Sequence, residues 1–407
     1  MIKNRDIIMV GLAALDSRIG SNVINLAEVF SKHNRVLYVN YPLDRLTILR
    51  GRKDPLVQKR LKINKGELPQ MEQISETMWS FFPRAILESI NQLPINWLFD
   101  LLNKINNKRF AKEISKAIEK LNFKDMIIFN DTDMFRSLYL KELIGAKTHV
   151  YYTRDNMIAV DYWKTQGIRN EAAIMKKADL VVANSTYLAE LASRFNPHSY
   201  YVGQGCDVSL FDKKLISSMP DDFKHIKQPI IGYIGVLYTL RLDIDVLVYI
   251  AKSRPDWSVV LVGPEDDAFK ASELHYIENV YFLGSKKMEE LPAYLKAFDV
   301  ALNPQKLNEV TIGNYPRKID EYLAMGKPTV ATKTKAMEVF ADYVYLANNE
   351  EEYVDLIDKA IKENSPEKEI AREKLARSHT WDANTEEIYL NIEKIEKLNE
   401  DGTQRQN

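Results

Sequence analysis

Short runs of β-branched and other apolar residues alternate with longer stretches of helical periodicity, and the alternation occurs twice along the chain. A strand followed by a helix-length stretch cannot turn back through a tight hairpin. It returns to its sheet by a crossover, which makes the sheet parallel and covers its faces with helices. In the first half the strand-like runs are 7–10, 36–40, 126–130, 148–152, 180–183 and 200–202. Helical stretches fall between them at 22–32 and 108–121; the second carries Phe110, Ile114, Ala117, Ile118 and Leu121 on one face. The second half repeats the scheme with strands at 230–234, 258–262, 280–283, 300–303, 329–331 and 344–346. Its helices are expected at 242–252, 291–297, 318–325, 351–362 and 366–378.

A chain of 407 residues accommodates two such domains. The joint is expected between Tyr201 and Pro229, where Gly203, Gly205, Pro220 and Pro229 punctuate a stretch without periodicity. The predicted division is 1–205, 206–380 and a final helix over 381–398. Thr380 suits that helix as N-cap, and Ile388, Ile392 and Ile395 need a surface to cover. The fold class that follows is α/β, with two Rossmann-like doubly wound domains.

Composition excludes several classes. Hydrophobic residues are 45% and charged residues 28%, ordinary for a globular protein, and no apolar run reaches the length of a spanning helix. The first residues lead straight into a strand without a signal-peptide pattern, so a cytoplasmic protein is expected. Cys206 is the single cysteine, which excludes an intramolecular disulfide, and it reads as a small filler near a domain joint. The six histidines show no metal-ligand spacing, so no metal is predicted. The stretch after the first strand does not fit Gly-x-Gly-x-x-Gly, which removes the main support for a nicotinamide cofactor.

The net charge of -1 hides an asymmetry. Residues 1–220 hold 32 Lys+Arg and 23 Asp+Glu, whereas the remainder holds 24 and 34. The basic half is expected to meet something anionic. Its densest stretch is 45–65, with eight cations from Arg45 to Lys65 against Asp54. Such a stretch is either a solvated surface or an attraction to a membrane surface or diphosphate-linked lipid; nucleic acid lacks a supporting motif. The apolar stretch 84–102, with Trp97, fits either an interfacial helix or helices packed on the first sheet.

The most informative segment is 303–332. A strand end leads through a polar loop carrying Asn308, Glu309, Gly313, Asn314 and Tyr315 to Pro316, which is expected in the first turn of a helix. That helix carries Lys318 and Glu321 and stops at Gly326-Lys327-Pro328. Lys318 would stand beside a phosphate held at the helix start, and Glu321, one turn on, could accept hydrogen bonds from ribose hydroxyls. A solvated lysine and a capping acid are the alternative on physical grounds.

The pattern Pro-x-Lys-x-x-Glu-Tyr-Leu-Ala-x-Gly-Lys-Pro-x-Val at 316–330 resembles the donor-site signature of GT-B glycosyltransferases. It is most similar to the family-4-like bacterial enzymes of capsule, teichuronic acid and related surface polysaccharide synthesis. The resemblance implies an interdomain cleft, a last helix returning to the first domain, a ribose-binding role for Glu321, and donor contacts from Asn314, Tyr315, Pro316 and Lys318. Those enzymes often carry a second Glu eight residues earlier, where this chain has Gly313. The segment from Ile230 supports the assignment. Gly235 would let a phosphate approach the backbone, Arg241 would fork onto the diphosphate, and Gly263 and Gly284 each follow a strand, as in that family.

On the acceptor side, the turn 11–22 resembles the first loop of such enzymes, which sets Gly20 near the donor diphosphate and Asp16 and Arg18 near the acceptor; an ordinary strand-to-helix turn fits equally. Asp155 ends the strand at 148–152 in a Tyr-x-x-x-Asp setting with Tyr151, and the resemblance makes it the candidate general base; a cap or a salt bridge with Arg154 or Lys164 is the alternative. Asp131 and Asp133 are expected to cap a helix rather than hold a metal. The predicted function is transfer of a sugar from a nucleoside-diphosphate sugar, UDP-linked by family resemblance, to a glycan or lipid-linked acceptor at the inner face of the plasma membrane. The rivals are a sugar-nucleotide epimerase of the same fold and a non-catalytic sugar-nucleotide-binding protein.

Overall fold

The computed structural model describes residues 2–17 and 21–404. The chain divides into two compact units, Met1–Gly203 with Trp381–Asn407, and Gln204–Thr380.

In the first unit the chain runs β1 (Asp6–Gly11), α1 (Asn22–Ser31), β2 (Arg35–Val39), α2 (Arg45–Arg50), α3 (Pro55–Lys65), β3 (Met71–Gln73), β4 (Met78–Phe81), α4 (Asn96–Leu121) and β5 (Ile127–Asp131). It continues through α5 (Leu140–Ile144), β6 (Thr148–Thr153), α6 (Asp161–Lys177), β7 (Leu180–Ala183), α7 (Thr186–Ser193) and β8 (Ser199–Tyr201). The strands form one sheet in the order β3-β4-β2-β1-β5-β6-β7-β8, parallel except for β3 on its edge. Successive strand residues point to opposite faces. Ile7, Met9, Phe129 and Val182 pack under α1 on one face, and Ile8, Val10, Leu37 and Ile128 pack under Phe110, Ile114 and Ala117 of α4 on the other. The last helix of the chain, α14 (Trp381–Gln404), covers the first of these faces with Ile388, Ile392 and Ile395. The Tyr389 ring lies 5.4 Å from that of Phe30, and its hydroxyl accepts from Asn34 at 2.8 Å. The apolar stripe that needed a surface finds it on the first sheet.

Local signals set the basic segment. Asp54 accepts from the amides of Leu56 and Val57, Pro55 occupies the first turn of α3, and Gly66 closes the helix at φ 83°.

The second unit runs β9 (Ile230–Ile234), α8 (Ile244–Ser253), β10 (Ser258–Val262), α9 (Asp267–Lys270), β11 (Val280–Gly284), α10 (Leu291–Ala297), β12 (Val300–Asn303), α11 (Lys318–Ala324), β13 (Thr329–Thr332), β14 (Tyr345–Ala347), α12 (Glu350–Glu363) and α13 (Pro366–Ser378). Its sheet has the order β11-β10-β9-β12-β13-β14 and every pairing is parallel. The strand order reverses between β9 and β12. In the first unit it reverses between β1 and β5. Connections leave a parallel sheet in opposite directions at such a point, and the carboxyl ends of the two central strands stand open there.

Candidate functional site

In the second unit, Gly235 follows β9 at the reversal point. It has φ 146°, and its amide donates to the Val262 carbonyl at 2.9 Å. Gly263, the residue after β10, has φ 151°, and a Cβ there would stand 1.8 Å from the Gly235 carbonyl oxygen. Two backbones therefore touch where any side chain would separate them. A Cβ on Gly235 would meet the Lys318 Nζ at 3.0 Å and the Tyr233 hydroxyl at 2.8 Å. The bare backbone after β9 thus lies against the cation of α11, which follows β12.

Tyr233 holds that cation. Lys318 Nζ donates to the Tyr233 hydroxyl at 2.5 Å and sits 4.2 Å from the ring centroid. Tyr322, on the next turn of α11, accepts at its hydroxyl from the Ile234 amide at 3.0 Å, locking the helix to the end of β9. Glu321 is three residues beyond Lys318 and therefore on the same side of the helix. Burial pushes its carboxyl above the usual range, against the pull of Arg317 and Lys318. Among the described residues its carboxylate accepts no hydrogen bond, so its lone pairs remain available to hydroxyl donors.

Arg241 is exposed, and among the described residues its guanidinium has no ion-pair partner. Its segment is tied to the loop after β12. The Lys306 amide donates to the Arg241 carbonyl at 2.9 Å, the Asp243 amide to Pro304 at 2.9 Å, and Asn308 to the Leu240 carbonyl at 2.7 Å. Asn314 lies in that loop, half-buried, with its amide on the Thr311 carbonyl at 2.9 Å. Glu309 is exposed and Gly313 buried.

Two expected contacts are placed differently. Pro316 precedes the helix instead of opening it: α11 begins at Lys318, with Arg317 at the N-cap position, and is seven residues long. The charge offered here is therefore a lysine ammonium rather than the end of a long helix. The Tyr315 side chain turns into the core, where its hydroxyl donates to Asp320 at 2.9 Å and meets His379 Nδ1 at 3.2 Å. Asp320 is wholly buried, and His379 Nδ1 stands 2.7 Å from it. This polar knot anchors α11 from below. Lys327, which the sequence marked as part of a helix stop, is also structural. Its ammonium donates to the carbonyls of Lys296 and Phe298 at 2.8 and 2.6 Å, and burial lowers its pKa to about 8.

In the first unit, Gly11 and Asp131 pair across the reversal point. Asp131 is fully buried and receives Arg154 Nε at 2.8 Å. Arg154 also reaches Asp155 at 2.8 Å, and Asp155 is about a third exposed. The alternative of a salt bridge for Asp155 is therefore realised with Arg154, while the carboxylate stays accessible. Asp133 caps the turn after β5, accepting from the Arg136 amide at 3.0 Å and Arg136 Nε at 2.7 Å. Asp16 is paired with Lys59 at 3.0 Å and Arg60 at 3.5 Å, both from the basic α3. Arg60 stacks on Tyr41 at 4.2 Å, and Arg136 lies 5.6 Å from the same ring. Arg18 and Gly20 lie outside the described residues. Among the described residues no group of three or more His, Cys, Asp or Glu is placed to hold a metal.

The partners that sequence reasoning missed are Tyr233, Asp131, Lys59 and Arg60. Each meets its predicted site residue only through the fold. Tyr233 and Lys318, for example, are 85 residues apart.

Two doubly wound sheets of this order, one of them covered by the C-terminal helix, are the GT-B fold. In the second unit, residues 228–363 match the model of the family of glycosyl transferases group 1. A Bacillus subtilis (strain 168) protein assigned to teichuronic acid biosynthesis as a glycosyltransferase, TuaH, is 27% identical over 242 residues, which cover 55% of this chain and 59% of that relative. Among solved structures, Anabaena Alr3699/HepE in complex with UDP superposes with a TM-score of 0.61 at 16% identity, over 97% of this chain and 100% of that one. An E. coli trehalose-6-phosphate structure bound with UDP-2-fluoro glucose superposes with a TM-score of 0.62 at 12% identity, over 97% and 99%.

Proposed function

We propose that this protein transfers a sugar from a nucleoside-diphosphate sugar to a glycan or lipid-linked acceptor in bacterial surface polysaccharide synthesis. One observation carries the reading: the Lys318 ammonium stands beside the side-chain-free backbone of Gly235 at the reversal point of the second sheet, Gly263 packs against that backbone, and Glu321 lies on the same side of the helix as Lys318. A diphosphate needs a cation and backbone that lets it come close, and a ribose needs an acceptor for its hydroxyls. In the reaction the bond from the anomeric carbon to the diphosphate oxygen breaks. Negative charge grows on the leaving group, and Lys318 and Arg241 would stabilise it. Gly235, Gly263 and Asn314 would line the donor site, with Tyr315 and Pro316 acting through the backbone that presents Lys318. The family match over 228–363 and the UDP held by the Anabaena neighbour support this assignment and favour uridine.

Asp155 takes the role of base toward the acceptor hydroxyl, with Arg154 and Asp131 orienting it. Asp16, which holds the cations of α3, and Arg18 would serve the acceptor, and Gly20 the donor diphosphate, as the resemblance to GT-B enzymes implies. The donor enters as co-substrate, without a metal or organic cofactor. The protein works at the inner face of the plasma membrane, in contact with anionic lipid through its basic first unit. No helix among the described residues is long and apolar enough to cross a membrane.

The test incubates the protein with a panel of UDP-sugars, with and without lipid-linked oligosaccharide. A transferase releases UDP slowly from one donor and faster with acceptor. A new sugar nucleotide would instead indicate an epimerase, and an intact donor throughout would indicate a binding protein.

A further inference from the structure

We propose that the solvent face of α4 is a docking surface for the anionic lipid headgroups of a membrane. This deepens the membrane contact named above and rests on that reading. The helix buries Phe99, Asn103, Phe110 and Ile114 on its inner side. On the outer side Trp97 is 69% exposed and Leu101 52% exposed, and Lys104 and Lys108 are exposed below them. These four residues follow the spacing i, i+4, i+7, i+11, so they form one stripe along the helix. The stripe begins with an indole and a leucine and ends with two ammonium groups. An apolar tip that enters the interface and cations that meet phosphates are what an anionic bilayer surface attracts.

The basic end of the stripe opens on a cavity of about 310 Å³ lined by Lys104, Lys108, Tyr139, Glu142, Leu143 and Lys177. Lys177 stands 4.6 Å and Lys104 6.0 Å from the centre of the Tyr139 ring. Glu142, the acid of this group, is paired with Lys177 at 2.8 Å. Lys104 and Lys108 have no acid partner among the described residues. Their charge is left for an outside anion, while Tyr139 and the 38% exposed Leu143 give the cavity an apolar floor. A phosphate carried on an acyl chain fits both features, whereas nucleic acid would leave the apolar floor and Trp97 uncovered. The neighbouring α2 has the same character: it buries no residue, exposes Leu49 at 59%, and Arg45 links it through Glu88 to Arg109 of α4.

The experiment sediments the full chain with vesicles of phosphatidylcholine alone or mixed with phosphatidylglycerol. Binding is expected to the mixed vesicles and to weaken as salt rises. Each lysine near an anionic surface contributes about fivefold in affinity, so Lys104→Gln with Lys108→Gln should weaken binding by about 25-fold. Trp97→Ser with Leu101→Ser should also release the protein, while Lys287→Gln with Lys374→Gln on the second unit should leave binding unchanged. All six positions are exposed, so thermal melting should not move. Absence of binding to the mixed vesicles, unchanged binding by both α4 variants, or equal loss in the second-unit control would overturn the proposal. Affinity for UDP, measured by calorimetry on the same proteins, separates the two readings: vesicle binding without UDP binding would refute the transferase and uphold the surface.

Discussion

Replacing Lys318 with Met keeps the length of the side chain and removes its charge. In the protein alone the loss is small. The Tyr233 hydroxyl retains the Val236 carbonyl at 3.4 Å, and the cation–ring contact at 4.2 Å is worth about 1 kcal/mol at a partly exposed site. Toward a diphosphate the loss is larger, because a hydrogen bond to a charged group contributes about 1.5–3 kcal/mol. Taking about 2 kcal/mol, the Kd for UDP should rise about 30-fold. Isothermal titration of wild type and Lys318→Met with UDP reads this directly. Titration with uridine supplies the control, since a nucleoside without phosphates does not meet the ammonium. The expected result is a large loss for UDP and none for uridine. A UDP affinity within about twofold of wild type, or an equal loss for both ligands, would refute the placement of the diphosphate at Lys318.

Three further outcomes follow from the geometry. Gly263→Ala would drive a Cβ to 1.8 Å from the Gly235 carbonyl at φ 151°, so chemical denaturation should show a destabilisation of about 3 kcal/mol; wild-type stability would contradict the backbone contact. Asp155→Asn should leave UDP affinity unchanged and lower turnover by about 10²–10⁴-fold, as measured by UDP release with acceptor; unimpaired turnover would remove Asp155 from the chemistry. Glu171 is buried on α6 against the Tyr151 hydroxyl at 3.2 Å, and burial raises its carboxyl from 4.5 to about 7. The native state therefore favours the protonated acid: the stabilisation is complete below pH 4.5 and is lost as pH rises through about 7, a change of about 3 kcal/mol. Glu171→Gln cannot ionise, so the difference in urea midpoint between it and wild type should grow over that window; a difference independent of pH would contradict the buried acid.

Sheets that are buried on both faces write themselves plainly into a sequence. The runs at 180–183, 230–234, 258–262 and 300–303 became β7, β9, β10 and β12 with the same limits. β3 and β4 were not legible. They form an edge where Glu72 and Gln73 are exposed and the run of apolar residues is short. Only the second half of α4 was expected, because the first half buries asparagines where a periodic helix would show apolar residues. Asn107, for instance, donates to the carbonyls of Asn103 and Phe135 and accepts from the Tyr139 amide at 3.1 Å. The apolar stretch 84–102 divides between the two readings it allowed: Leu87, Ile90 and Phe99 enter the core, and Ile86, Ile95, Trp97 and Leu101 remain outside. In the candidate site, residues close in sequence could be read together, as Lys318 with Glu321. Tyr233 beneath Lys318, and Asp131 behind Arg154, depend on which strands become neighbours, which periodicity does not encode.

A crystal structure of the protein with UDP would show whether a sugar nucleotide sits on Lys318, Gly235 and Glu321. The expected complex has a phosphate oxygen within hydrogen-bond distance of Lys318 Nζ, the diphosphate against the backbone at Gly235, and a ribose hydroxyl on the Glu321 carboxylate. A UDP molecule bound away from the carboxyl ends of β9 and β12, with Lys318 still resting on Tyr233 and touching no phosphate, would contradict it.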